Sequence, residues 1–169
     1  MEFKPTSTVP WVYGNTVERF SLFSLLEDRL NSVSSQFTLL TYNALFEVLT
    51  ESISPKIRVH PIIISEKSIS MIKNPALLKV IAQLISQSEQ TSDILSIKDT
   101  FIQHLFAFCA QNPSNKKIIL QLSIWQDWLL RLAPLYPNNK MNAKFLVKIL
   151  RLIRVLLIHG ICYEYGSWQ

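Results

Sequence analysis

The sequence predicts an all-α fold, an α-solenoid of the armadillo or HEAT type with about six or seven helices. Apolar residues recur at intervals of three and four in successive segments, which is the spacing of amphipathic helices. Only three glycines occur in 169 residues, fewer than β-rich folds usually need for their turns. Helix pairs in succession favour a solenoid. Because the sequence shows no clean repeat period, an irregular helical bundle is the alternative.

The first residues of the chain do not share this helical spacing. Pro5, Pro10 and Gly14 predict an irregular lead-in over residues 1–15, followed by an armadillo-like helical domain over residues 16–169. Charged residues make up 17% of the chain, whereas soluble domains average about 25%. This shortage of charge predicts surfaces that meet something else, such as neighbouring domains.

Two helices are predicted before the first long connection. The first covers residues 16–33, and the second presents an apolar face from Leu39 to Ile53 before Pro55 stops it. Prolines and β-branched residues over positions 55–73 predict a long connection that could include a short extended piece.

Two Asn-Pro pairs mark later helix starts. Asn74 and Asn112 are predicted as N-caps, each followed by a proline at the first helical position, where no hydrogen bond is lost. Between them, the apolar spacing over residues 94–108 predicts an amphipathic helix of about four turns. The remaining predicted features are a cap at Ser123, a loop between Pro134 and Pro137, and a last helix from about Met141 to Tyr163.

Three tryptophans lie in the second half of the chain. Trp125 and Trp128 are three residues apart among leucines, so both fall on one face of a helix. We predict that they pack this helix onto its neighbours, each burying about 150–250 Å². The alternative is a contact site for a protein partner, since tryptophan is enriched in binding hot spots. Trp168 belongs to the same class of structural or partner-contact residues.

Positive charge is concentrated towards the C-terminal end. Residues 1–115 carry 9 Lys or Arg and 10 Asp or Glu, whereas residues 116–169 carry 8 and 2. The last helix carries several of these cations. A Lys or Arg costs about 2.5–3.5 kcal/mol at the centre of a bilayer, so this helix is not predicted to span a membrane. Four of the cations fall on one arc of about 120° of that helix, namely Lys144, Lys148, Arg151 and Arg154.

The cation arc has two interpretations. It can be a solvated face, because the opposite apolar side is predicted to dock on the domain through Leu146, Ile149, Ile153 and Leu157. It can also be a surface for an anionic membrane, and a module that binds anionic lipid or nucleic acid is the alternative function. Aromatic residues do not interleave with these cations, so we expect no nucleic-acid partner.

No residue pattern specifies an enzyme. His60, His104 and His159 are far apart and none stands at metal-ligand spacing with a cysteine pair, so we expect no catalytic, cofactor-binding or metal-binding residues and no small-molecule substrate. We predict that His104 is a satisfied histidine at the edge of the core. Cys109 and Cys162 lie in apolar helical stretches and are predicted to be buried, reduced thiols.

Four segments carry a resemblance to a known family. They are TYNALFEVLTE, NPALLKVIAQLISQS, SIWQDWLLRLAPLYPNN and LLIHGICYEYGSW. In this order they resemble the armadillo-like region upstream of the PH and BEACH modules in the neurobeachin and lipopolysaccharide-responsive beige-like anchor family of BEACH-domain proteins. The resemblance covers about residues 36–168, and its most specific parts are Trp125, Gln126, Trp128 and the run from His159 to Trp168.

The resemblance implies a function that the residues alone do not specify. It implies a segment of a large cytosolic scaffold that acts in vesicle trafficking and membrane-protein sorting, and the chain would then be either a fragment of that protein or a truncated product. The implied partners are other domains of the same large protein and further proteins, with peripheral contact to anionic endomembranes.

Overall fold

The computed structural model describes residues 37–56, 58–64, 71–122, 125–134 and 139–164, all within the unit that spans residues 36–169. Over these ranges the chain forms six α-helices followed by one π-helical turn, and no strand occurs in them. The helices are α1 (Leu39–Thr50), α2 (Ala76–Gln87), α3 (Ser92–Gln111), α4 (Pro113–Gln121), α5 (Trp125–Leu132) and α6 (Lys140–His159), and the π-helical turn is Gly160–Glu164. This confirms the predicted all-α class.

Two of the three pairs of helices that are three apart in the chain pack against each other. α2 contacts α5, and α3 contacts α6. The helix lengths also repeat as two shorter helices followed by one of 20 residues. α1 to α3 have 12, 12 and 20 residues, and α4 to α6 have 9, 8 and 20. The described residues therefore form two stacked three-helix units, which is the construction of an α-solenoid.

One long connection explains why the sequence shows no clean repeat period. α1 and α2 are joined by residues 51–75, whereas only residues 122–124 lie between α4 and α5. The starts of α2 and α5, at positions 76 and 125, are 49 residues apart, but those of α1 and α4, at positions 39 and 113, are 74 apart. No single fixed spacing relates the two units, because the starts of their first helices are further apart than the starts of their second and third helices.

The end of α1 differs from the prediction, which carried the apolar face to Ile53. Glu51 adopts a left-handed conformation with φ 53°, and the Ser52 N–H donates to the Glu47 carbonyl at 3.0 Å. This is a Schellman-type ending, which satisfies carbonyls that the helix itself leaves unpaired. Ile53 lies beyond it and is exposed, so its assignment to the apolar face was wrong.

The two predicted Asn-Pro caps behave differently. Asn112 Oδ1 accepts a hydrogen bond from the Ser114 N–H at 2.9 Å, which confirms this cap. The Asn74 side chain instead donates to the Val48 carbonyl at 2.7 Å, and Pro75 precedes the first residue of α2 with no side-chain cap. The Asn74 prediction was therefore wrong, because this amide satisfies the C-terminal end of α1 rather than the start of α2.

Polar side chains from the helices hold the long connection in place. Asn43 Nδ2 on α1 donates to the carbonyls of Arg58 and His60 at 2.7 and 3.0 Å. Asn115 on α4 is fully buried, and its Oδ1 accepts from the Ile72 N–H at 3.0 Å. The described parts of the connection contain no strand, so the extended piece considered in the sequence analysis does not occur in them.

Several predicted features lie outside the residues that the structure describes. They are the lead-in over 1–15, the helix over 16–33, the cap at Ser123, the turn at Pro137 and the contact residue Trp168. The domain boundary after residue 15 stays a prediction.

We predict that Asn115→Ala destabilises the fold. The Ile72 N–H would remain buried without its acceptor, which costs about 1–3 kcal/mol. Chemical denaturation of the variant and of Gln121→Ala, an exposed change on the same helix, measures the difference; the control should stay within about 0.5 kcal/mol of the parent. Equal free energies of unfolding for the two variants would show that the Asn115 bond does not hold the connection.

Candidate functional site: the aromatic core and the outer face of α6

An aromatic cluster joins α1 to α3. The ring of His104 lies 4.3 Å from that of Phe46 and 5.8 Å from that of Tyr42, measured between centroids. Phe46 also stacks on Phe108 at 5.7 Å, and Tyr42 meets Phe101 edge-on at 6.3 Å. All five side chains are buried, so this cluster forms the core of the first three-helix unit.

Both ring nitrogens of His104 are engaged in this cluster. Nε2 lies 2.6 Å from the Ile62 carbonyl, which can only accept, so Nε2 carries the proton. Nδ1 then accepts from the Tyr42 hydroxyl at 2.7 Å. Burial lowers the pKa of His104, and the bond to Ile62 opposes that shift. His104 is thus a neutral, fully bonded histidine, which confirms the prediction, and it fastens the long connection to α3.

Trp125 and Trp128 lie in the core, each with 5% of its surface exposed. The Trp128 ring is 6.3 Å from that of Phe101, so it joins α5 to α3 across the two units. Among the described residues, Trp128 Nε1 finds no hydrogen-bond partner. The contribution of Trp128 is therefore apolar packing.

The two thiols have different environments. Cys109 is buried, and burial raises the pKa of its thiol to about 12, against the opposing charge of Lys116. Cys162 is exposed on the π-helical turn after α6, so its predicted burial was wrong. The apolar stretch that suggested burial continues past the end of the packed helix.

The four predicted cations of α6 do not share one environment. Lys148 is half-buried and forms a salt bridge with Asp99 on α3. Next to this pair, Lys98 Nζ on α3 lies 5.4 Å from the centroid of the Phe145 ring on α6. The remaining cations are exposed, namely Lys144, Arg151 and Arg154.

The buried side of α6 is rotated from the predicted one. Its most deeply buried apolar residues are Ile149, Leu152 and Leu156, whose mean direction is roughly 70° from the predicted docking side at 100° per residue. Leu157, predicted to dock, is 45% exposed, so that assignment was wrong. Further apolar residues share this outer face, namely Val147, Leu150, Ile158 and Ile161.

The described residues show neither a metal-binding cluster nor a helix that could cross a membrane. No group of three or more His, Cys, Asp or Glu side chains comes together there in a way that could hold a metal ion. None of the helices in these ranges combines the length and the hydropathy that crossing a membrane requires.

We predict that Trp128→Ala lowers the free energy of unfolding by about 3–5 kcal/mol, because it empties a large buried site between α3 and α5. Trp128→Phe should be milder, since Nε1 has no hydrogen bond to lose among the described residues. Leu130→Ala, an exposed neighbour on α5, is the matched control. If Trp128→Ala melted like this control, the tryptophan would not be a packing residue.

We predict that stability falls in mild acid through His104. The pKa of His104 is lower in the folded state than in the unfolded chain, so the unfolded chain takes up the proton first as the pH falls. The stability that neutral His104 contributes is therefore complete above about pH 6.5. It is lost as the pH falls through the folded-state pKa. Denaturation at about pH 7.5 and 5.5 should show a smaller pH dependence for His104→Gln than for the parent. His60→Gln, at an exposed position, should keep the parent's dependence, and an unchanged dependence in His104→Gln would contradict the account.

Comparisons with known proteins place this architecture in a family. Residues 11–169 match the family described as Neurobeachin/BDCP, DUF4704 alpha solenoid region. Neurobeachin homologues of Caenorhabditis briggsae and Caenorhabditis elegans are both 36% identical to the chain, over 149 and 151 residues. The alignments cover 88% of this chain but 6% of each relative, and no solved structure matches. The chain belongs to the neurobeachin alpha solenoid family.

Proposed function

We propose that this chain is a non-catalytic scaffold segment of a BEACH-type protein that acts in vesicle trafficking and membrane-protein sorting. The observation that supports this most is the match of residues 11–169 to the neurobeachin alpha solenoid region. Stacked helical units provide extended surfaces on which proteins assemble. In this proposal the segment works in the cytoplasm, at the surface of endomembranes, and holds other domains of the same large protein together with protein partners.

The potentially reactive side chains of the described core are engaged in packing and hydrogen bonding, which supports a role without catalysis. His104 has both nitrogens bonded to protein groups. Cys109 is buried with a pKa of about 12, so it is a thiol rather than a nucleophilic thiolate. Lys98 is packed over Phe145 and bonded to Gln90. Each of these groups serves packing or hydrogen bonding inside the domain.

The proposal can be tested in cells that express the gene for this chain. In these cells the codons for residues 36–169 are deleted while the flanking reading frame is kept. Surface biotinylation would then measure membrane proteins at the cell surface and in internal vesicles. We expect a redistribution between the two pools, because the scaffold segment that positions sorting partners is lost. Restoring the segment should reverse it.

A segment that carries Trp128→Ala serves as the folding control and should fail to restore sorting, whereas one with Leu130→Ala should restore it. Unchanged surface and vesicle pools after the deletion, at equal expression of the remaining protein, would contradict a role in sorting.

A further inference from the structure

We propose that the side of α6 that faces away from α3 is a docking surface for an amphipathic helix of a further helical-repeat unit, with an apolar stripe and carboxylates along one edge. This inference rests on the scaffold role proposed above and names the kind of partner that the scaffold holds. It uses an apolar face of α6 whose residues are exposed or half-buried.

The direction of α3 as seen from α6 is fixed by the salt bridge between Asp99 and Lys148. At 100° per residue, a row of five apolar residues lies about 140–220° around the helix from Lys148, on the side opposite α3. We call this row the outer ridge. Its members, at intervals of four, three, four and four, are Leu146, Leu150, Ile153 and Leu157 on α6 and Ile161 on the π-helical turn that continues it.

The outer ridge is apolar and accessible. Leu150, Leu157 and Ile161 are 50%, 45% and 61% exposed, and the other two members are half-buried. Spacing of this kind is the ridge that one helix offers to the grooves of another. From first to last member the ridge is about 22 Å long at 1.5 Å per residue, which suits a partner helix of about four turns.

The two stacked units indicate how a helix would lie on this ridge. α3 and α6 are the third helices of their units, and they pack against each other. The same relation, applied once more, places a further third helix on the side of α6 opposite α3. That side is the outer ridge, so α6 carries apolar residues where the stacking needs them.

The charges beside the outer ridge select the chemistry of the partner. Arg154 lies about 240° around the helix from Lys148, beside the edge of the ridge at about 220°, and Arg151 lies further round at about 300°; both are exposed. α6 contains no Asp or Glu, so these cations have no acid on their own helix. α3 already supplies Asp99 to Lys148 across the opposite side. A partner helix with carboxylates along the matching edge repeats that contact.

Peptide binding tests the proposal directly. The probe is a designed, fluorescently labelled 20-residue helix with leucines at intervals of four, three and four and glutamates along one edge; a matched peptide has lysines in place of the glutamates. Fluorescence anisotropy at physiological salt should show that the 169-residue chain binds the glutamate peptide and prefers it over the lysine peptide. Leu150→Glu and Leu157→Glu should each weaken binding by about tenfold or more, as expected for central contact residues.

Two variants separate docking from unfolding. Leu130→Glu places the same charge at an exposed apolar position on α5 and should bind the glutamate peptide like the parent. Arg154→Glu, at an exposed position, should keep the melting temperature but shift the preference towards the lysine peptide. No binding of the glutamate peptide, or equal binding of both peptides by every variant, would overturn the proposal.

Other occupants of the outer ridge give different results. If the chain self-associates and Leu157→Glu disperses it, the ridge belongs to a second copy; if the chain sediments with phosphatidylserine vesicles and the same change abolishes this, it belongs to lipid. Either result overturns the helix assignment. If the peptide does not bind but membrane-protein sorting still depends on residues 36–169, the scaffold role stands and only this partner is ruled out.

Discussion

The structure depends on the burial of α3 (Ser92–Gln111). This helix contacts α1, α2, α4 and α6, and Phe101 on it meets Trp128 on α5. Its buried face presents aromatic rings to the core of the first unit, and its half-buried Asp99 and packed Lys98 contact α6 of the second unit. α3 therefore belongs to the core of the first unit and also to the interface with the second unit, where it adds to the contact between α2 and α5.

A second constraint comes from the connection between α1 and α2. A chain segment without regular structure must have its buried backbone groups satisfied by other partners. Here Asn43, His104 and Asn115 supply those bonds from three different helices. The connection therefore links α1, α3 and α4. The hydrogen bond from the Tyr42 hydroxyl to Nδ1 of His104 requires the neutral form of this histidine, whose Nε2 holds the Ile62 carbonyl.

Local sequence patterns predicted much of this fold. Apolar spacing located the helices, the Asn112 cap was recognisable from the proline that follows, and His104 interrupting an aromatic face predicted a satisfied histidine. Contacts between distant residues were not predictable in the same way. Asn115 binds a residue 43 positions away and Lys148 one 49 positions away, and nothing in either neighbourhood names the partner.

The sidedness of α6 shows the same limit. Periodicity identified an apolar side and a basic arc, but the rotation of the helix is set by α3, so Leu157 became exposed and Lys148 half-buried. The outer ridge could only be recognised once the position of α3 was known. The stacking of helices three apart thus decides both the core and the surface that remains open.

The arrangement of corresponding helices is the central claim, and methyl NOEs measured on the 169-residue chain in solution test it most directly. The account predicts NOEs that link methyl groups of α2 to α5 and of α3 to α6. NOEs confined to helices adjacent in the chain would contradict it, because they would replace the stacked three-helix units with an arrangement of sequential helix pairs.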